Sequence, residues 1–451
     1  MTRILIKNAQ IVSMDDEVGD FQGDILIDGS RIAAVGHALD APDAAIVDAS
    51  DCIAIPGLVN AHLHTWQAGL RTIASNWTLP EYFRWVHAGL AALFTPEDIR
   101  IATLAGALNQ LENGTTTLVD WCHNNPTPAH TDAGIAGLLQ AGIRATFMHG
   151  SPKPSPVPGQ RPFWEVPHPR DEVIRLKSEL DGNDSLVSLG LAILGPHYST
   201  LEVAFEDFEL AREFGLVASM HQGGGVARSP DGWRHLEQAG LLGKRINIVH
   251  GNDLGADQLQ RFVRAGVTFT VTGESEMVSG HGHPIVGRLR DLGVRPSLGS
   301  DIECAVSGDM LTAARITLSH QRALDNVAAR QAGTLGGKSQ ARTRDALAWI
   351  TIEGARMLGL EALVGSISPG KQADLVLIST ASLNMQPVHD PVSAVILHAN
   401  QSNITSVMVA GQWRKRGGKL LYDDVNGVIE ALRLSGKRIL GAVGIQGSDL
   451  E

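Results

Sequence analysis

The sequence has little cysteine. Cys52, Cys122 and Cys304 are the only three in 451 residues, too few and too scattered for a disulfide scaffold or a cysteine-based zinc site. A reducing, cytoplasmic compartment is the simplest expectation. No apolar run reaches the roughly 18 residues of a membrane span. Met1–Val12 alternates and carries Arg3 and Lys7, unlike the apolar stretch of a signal peptide. Basic charge is also scarce: the net charge is −11, and nucleic-acid binding draws on a basic surface. The longest basic run is Arg414-Lys415-Arg416. Internal repeats and low-complexity tracts are absent. With 43% hydrophobic and 19% charged residues, the composition excludes a largely disordered chain.

What the chain does have is length and histidine. At 451 residues it exceeds one ordinary domain of roughly 100–200 residues, and a barrel of about 250 residues with a smaller companion fits. The first 55 residues read as short strands at Ile4–Ile6, Asp24–Ile27 and Arg31–Val35, with Asp28-Gly29 as a hairpin signal. From Gly57 onward, apolar strand candidates alternate with helical stretches: Leu58–His62, Thr116–Asp120, Ala145–His149, Leu189–Leu194, Val217–His221, Ile246–His250, Thr268–Val271 and Pro296–Gly299. The intervening amphipathic segments are Glu97–Leu111, Thr131–Ala141, Leu201–Phe214, Ala256–Ala265 and His283–Leu292. Short buried strands separated by helices predict an α/β fold, and eight of them predict a closed (β/α)8 TIM-type barrel. Arg344–Leu358 reads as a helix, Ala373–Ile378 and Ser406–Val409 as strands, and Val425–Ala442 as a final helix. The expected division is a small β-sandwich built by both chain ends (1–55 and 363–421), a metal-binding barrel over 56–362, and a helical tail over 422–451. Ser151–Pro169 is a proline-rich loop after the third strand, expected at the mouth of the barrel as a lid or a rigid spacer.

There are 17 histidines, and their positions matter more than their number. His62 and His64 are i and i+2 at the end of the first strand, so their side chains share a face. His221 ends the fifth strand, His250 ends the sixth, and Asp301 follows the eighth. All five fall at C-terminal strand ends, where barrel enzymes build their sites. Each alone reads as a hydrogen-bonded structural residue. Together, several imidazoles crowded around a carboxylate are costly unless a divalent cation joins them. Three nitrogens and one carboxylate suit Zn²⁺, with Fe²⁺ or Mn²⁺ as alternatives.

These segments resemble the amidohydrolase superfamily, in its cytosine deaminase and triazine hydrolase branch. The resemblance rests on Pro56-Gly-Leu-Val-Asn-Ala-His62-Leu-His64, Gly114-Thr-Thr-Thr, Ile248-Val-His250, Leu298-Gly-Ser-Asp301 and Gly365-Ser-Ile-Ser-Pro-Gly-Lys-Gln-Ala-Asp374-Leu-Val-Leu. It covers nearly the whole chain in order and spacing. It implies one metal held by His62, His64, His221 and Asp301, with His250 beside it to polarise the substrate or the attacking water. The fourth strand ends Leu194-Gly-Pro-His197, without the lysine of two-metal members, so a single metal is expected. The resemblance also implies catalytic roles. Metal coordination brings the pKa of a water toward about 7. Asp301 takes its proton and passes it to the leaving group, and His250 stabilises charge on the substrate.

The sequence departs from that pattern at one point. Deaminases of this branch carry a glutamate three residues after the strand-five histidine, and here that position is Gly224. Either Asp301 and His250 handle every proton, or Glu274 or Glu276 after the seventh strand reaches in, or the leaving group needs no separate acid. Trp66 and Gln67 follow the metal motif, and Trp66 offers a ring for stacking, with core packing as the competing use. His197 occupies a position where relatives place a substrate contact. His123 and His149 end strands two and three, where structural hydrogen bonding is their default use. His281-Gly-His283 mimics the metal motif by spacing but lies in a loop.

The expected function is metal-dependent hydrolysis of a non-peptide C–N bond, led by deamination of a small nitrogen heterocycle. Alternatives are hydrolysis of an amide, urea or carbamate, favoured by Gly224, and C–Cl or other C–X hydrolysis on a triazine-like ring. The rival of another class is a non-catalytic binding protein on the same barrel. The expected partner is a small molecule, with no nucleic acid or membrane, and with a homodimer or larger homo-oligomer as the assembly.

Overall fold

The computed structural model describes residues 3–181 and 185–443. Its centre is an eight-stranded parallel sheet whose strands follow one another in chain order. They are Leu58–Leu63, Thr115–Cys122, Arg144–Gly150, Val187–Ala192, Ala218–Gln222, Ile246–His250, Thr268–Val271 and Ser297–Leu298. Every residue of the first three is buried, as expected of parallel strands covered on both faces. The last strand returns to the first. Leu63 and Asp301 form a parallel bridge. The Asp301 amide donates to the His62 carbonyl at 2.9 Å, and the His64 amide to the Asp301 carbonyl at 2.9 Å. Gly299 permits this approach, because a Cβ there would lie 2.6 Å from the His62 Cβ. The (β/α)8 expectation holds.

The two chain ends build a second sheet of nine strands, drawn from residues 3–56 and 375–420. Arg3–Val12 lies at its middle, paired antiparallel to Asp20–Asp28 and parallel to Cys52–Pro56. Cys52–Pro56 pairs antiparallel with Leu375–Ser379, which stitches the early and late segments together. Alternation along the strands puts Ile4, Ile6, Ile25, Ile27, Leu375 and Leu377 into one apolar cluster. The predicted Asp28-Gly29 hairpin is present, with Asp28 opposite Arg31.

Helices Leu201–Phe214 and Ala256–Ala265 have the expected bounds. Pro96–Glu112 begins with Pro96 at its first position, behind a capping box between Thr95 and Asp98. Asp98 also accepts a hydrogen bond from Ser435 at 2.6 Å, which docks the helix Val425–Ala442 on the barrel. The residues 444–451 of the expected tail lie outside the described ones. Arg344–Leu358 is two helices, Thr343–Trp349 and Ile352–Leu358. The break is at Thr351, whose φ of −138° and ψ of −97° are not helical. The expected His283–Leu292 helix shortens to Val286–Asp291. Among the described residues no helix is long and apolar enough to cross a membrane.

Candidate active site

Four side chains from three parts of the barrel meet at the C-terminal rim. His62 and His64 leave the first strand on one face. His221 comes from the fifth strand, and Asp301 from just beyond the eighth. One ligating atom from each lies within 4.8 Å of all the others. His62 Nε2 is 3.2 Å from Asp301 Oδ1 and 3.2 Å from His221 Nε2. His64 Nε2 is 3.5 Å from the same Asp301 oxygen.

The hydrogen-bond chemistry calls for a cation. His64 Nδ1 is 2.6 Å from the Trp121 carbonyl oxygen. A carbonyl can only accept, so Nδ1 carries the proton. Burial pushes the His64 pKa down to about 3, so the ring is neutral and Nε2 presents a lone pair. That lone pair faces a carboxylate oxygen, acceptor against acceptor, inside a buried site. A divalent ion between them satisfies both. Asp301 is ready as a ligand. Burial raises its pKa, but the His62 hydrogen bond and the electrostatic pull of His250 outweigh this and hold the carboxyl below the usual range. Its second oxygen accepts from the Ser275 hydroxyl at 2.6 Å. The four side chains therefore fit one divalent cation with three nitrogen ligands and one oxygen ligand.

His250 stands beside this group. Its ring centroid is 5.4 Å from that of His221 and 6.1 Å from that of His62. His250 and Asp301 both have left-handed backbones, with φ of 68° and 69°, rare for such residues and recurrent at functional sites. The Nδ1 of His250 lies 3.0 Å from the Thr272 hydroxyl and 3.4 Å from Glu276 Oε1. Burial lowers the His250 pKa, but the Glu276 contact and the Asp301 charge reverse this and leave it raised.

Residues 53–414 match the amidohydrolase family. The chain belongs to that family. Among curated relatives, it is 27% identical to the 5-methylthioadenosine/S-adenosylhomocysteine deaminase of Symbiobacterium thermophilum, over 94% of each chain. It is 28% identical to the 8-oxoguanine deaminase of Pseudomonas aeruginosa, over 96% of each. Among solved structures, the zinc complex of the atrazine chlorohydrolase from Arthrobacter aurescens TC1 superposes with a TM-score of 0.84 at 22% identity, covering 96% of this chain and 100% of that one. A zinc-bound adenosine deaminase from Xanthomonas campestris gives 0.81 at 23%, covering 98% and 99%. Both superpositions show a shared fold.

In this amidohydrolase three members of the cluster, His64, His221 and Asp301, open into a small cavity of about 30 Å³. His64, His221, His250 and Asp301 form its floor. Its walls hold residues that the sequence did not single out. Leu79, Tyr82, Phe83 and His87 come from a run of short helices over residues 65–93, and Lys153 from the proline-rich loop. Tyr198 and His281 complete it on the side of Gly224. A larger cleft at the other end of the strands includes Arg290, Arg295 and Arg356, each paired with an acid. That end of a barrel serves stability rather than catalysis.

Several candidates lie elsewhere. Trp66 is fully buried, donates to His123 Nδ1 at 3.2 Å and packs edge-on against Phe94. It is a core residue and does not reach the cavity. Gln67 is likewise buried and donates to the Tyr82 hydroxyl at 2.6 Å. His197 is held by Gln222 at 3.1 Å, outside the lining. Glu276 sits behind His250, accepting from the Thr272 amide at 2.8 Å and from Asn252 at 3.0 Å. It positions His250 and does not touch the cavity. Glu274 is half-buried on the same short helix, Gly273–Val278, and is also outside the lining. His149 pairs with His168 at 2.9 Å. His123 lines the cavity and stacks on His64 with centroids 4.3 Å apart. His281 stacks on His250 at 4.4 Å.

A side chain at Gly224 would be strained and crowded. The residue's φ is +85°, and a Cβ there would lie 2.9 Å from Leu79 Cδ2 and 3.0 Å from the Tyr198 hydroxyl. That hydroxyl donates to the Gly223 carbonyl at 2.6 Å, which fastens the glycine turn in place.

Proposed function

We propose that this enzyme hydrolyses a C–N bond on a small planar nitrogen heterocycle and releases ammonia, with one divalent cation, Zn²⁺, held by His62, His64, His221 and Asp301. The observation that carries the reading is the His64 lone pair facing Asp301, a contact that calls for a cation. The deaminases among its full-length relatives and the zinc in its structural neighbours support it.

When bound, the cation supplies the Lewis acidity that lets a water lose a proton near neutral pH. The remaining work belongs to the chain. Asp301 Oδ1, which faces the cluster, takes the water's proton and returns it to the departing nitrogen. Ser275 holds Oδ2 and so fixes the carboxylate's orientation. His250 Nδ1 is engaged by Thr272 and Glu276, which leaves Nε2 to donate to the substrate atom on which negative charge develops. Buried neighbours exclude competing water. Position 224 is a glycine and supplies no acid, so proton transfer falls to Asp301 and His250.

The same glycine favours a second reading, hydrolysis of a cyclic amide, urea or carbamate, in which Asp301 alone protonates the leaving nitrogen. Residues 56–362 carry the chemistry in either case. Residues 1–55 and 363–421 serve as the supporting β domain and 422–451 as a helical tail. The test is metal content of the purified protein, paired with ammonia release from a panel of aminated heterocycles and amides. The expected result is one equivalent of zinc and ammonia from aminated rings. Zinc with turnover of amides alone selects the second reading. No bound metal after metal-replete expression overturns both.

A further inference from the structure

The proline-rich loop hides the wrong residue. Between Ser151 and Val166 its prolines and Val157 are half or fully exposed, while Lys153 alone is buried, at 8% exposure. Apolar side chains face water and an ammonium faces inward. Lys153 forms no hydrogen bond or ion pair with any described residue. Its Nζ looks onto three rings, 5.0 Å from the centroid of Tyr198, 5.5 Å from Trp121 and 6.0 Å from Phe83. Such faces attract a cation weakly but do not replace its hydration. An ammonium largely withdrawn from water without a protein partner is costly, and this one borders the cavity.

The backbone prepares this placement. Pro152 and Pro154 flank Lys153 and fix their own φ angles, and a residue before proline is confined to extended conformations. Little chain entropy is then lost in holding the ammonium still. The side chain lines the cavity together with His64, His221 and Asp301. Its charge disfavours protonation of His221, His87 and His123 across the same space. Asp301 is the only carboxylate among the lining residues, and it is committed to the cluster. The chain as a whole carries −11, yet a lysine rather than a second carboxylate lines this cavity beside Asp301.

We propose that Lys153 is the specificity-determining residue of this site, and that it selects substrates bearing an anionic oxygen, a carboxylate or a deprotonated ring oxygen, on the same small planar molecule whose C–N bond is broken. This rests on the hydrolase reading above and narrows its substrate class. Burial lowers the Lys153 pKa to about 8, which leaves the ammonium largely protonated at neutral pH. A charge-assisted hydrogen bond to an anionic oxygen supplies the partner that the protein withholds.

The test uses matched planar probes and the zinc-loaded enzyme, with binding followed by calorimetry. Nicotinate against nicotinamide isolates the carboxylate, and barbiturate against uracil isolates the ring oxygen. The expected result is that at least one anion binds about tenfold or more tightly than its neutral partner, and the pair that discriminates identifies the source of the charge. Lys153→Met should erase that preference and leave the neutral probe's affinity within about threefold, while Lys153→Arg should keep part of it. Thermal melting verifies that each variant is folded. The proposal is overturned if neither anion outbinds its neutral partner. It is equally overturned if Lys153→Met keeps the preference, because the cation would then be reading the charge. Ammonia release from the parent enzyme without anion preference would sink this proposal alone, and anion preference without any turnover would sink the hydrolase reading alone.

Discussion

At the scale of single residues, the cluster was legible because it obeys strand geometry. His62 and His64 are two apart on a strand, and strand-end positions in a barrel point to one rim, so spacing alone gathers them with His221 and Asp301. The wall residues were not legible, because loops set their direction and loops have no period. Lys153 drew no reading in the sequence, and Trp66 was open between stacking on a substrate and core packing, which its contacts with Phe94 and His123 decide for the core. Ser275 carried no signal beyond its place after the seventh strand, yet its hydroxyl fixes Asp301. The cluster yields a direct prediction. Asp301→Asn keeps the shape but loses the charge and the proton acceptor, so turnover should fall by about 10³-fold or more, on the scale of losing a central acid–base group. Circular dichroism and melting should stay near the parent's. A variant that is zinc-loaded and retains near-normal kcat would contradict the role given to Asp301.

Whole elements were read well where burial enforces a period. All eight barrel strands occur where apolar runs predicted them, because both faces are covered. The short helices over residues 65–93 escaped, since Thr65–Leu70 and Leu90–Leu93 are 3-10 segments of one or two turns, too brief to show a helical stripe. The proline-rich loop has a readable anchor of its own. His168 donates its amide to Asp207 at 2.7 Å and its ring contacts His149 at 2.9 Å. Burial lowers the His149 pKa from 6.5 to about 4 and holds His168 well below its ordinary value. The unfolded chain therefore binds more protons than the folded one below pH 6.5, and stability from these groups is lost as pH falls from 6.5 toward about 4. His149→Asn should flatten that acid-side loss relative to the parent, measured as melting temperature across this window. Identical pH profiles for the two proteins would remove the anchor from the account.

For the molecule as a whole, the split β domain was readable from strands at both chain ends, and the sheet joins them through Cys52–Pro56 and Leu375–Ser379. What fastens it to the barrel was not, because a salt bridge across 230 residues leaves no local pattern. Arg144, at the start of the third barrel strand, makes two hydrogen bonds to Asp374, at 2.9 and 3.0 Å. Both side chains are buried, and Asp374 also accepts from the Ala410 amide at 2.7 Å. Removing one partner strands a charge, so Arg144→Met should lower unfolding free energy by about 3–5 kcal/mol. The double variant Arg144→Met with Asp374→Asn should recover part of that loss, as read in urea titrations. The joint between the first and eighth barrel strands sets a different kind of limit. Asp301 closes the circle through its backbone and completes the reactive centre through its carboxylate. Copies cut short before that residue would lack both the closing bonds to His62 and His64 and the carboxylate ligand, and would be inert rather than merely slow. Chemistry thus begins only when the ribbon has come full turn, and an unfinished protein does no harm to the small molecules around it.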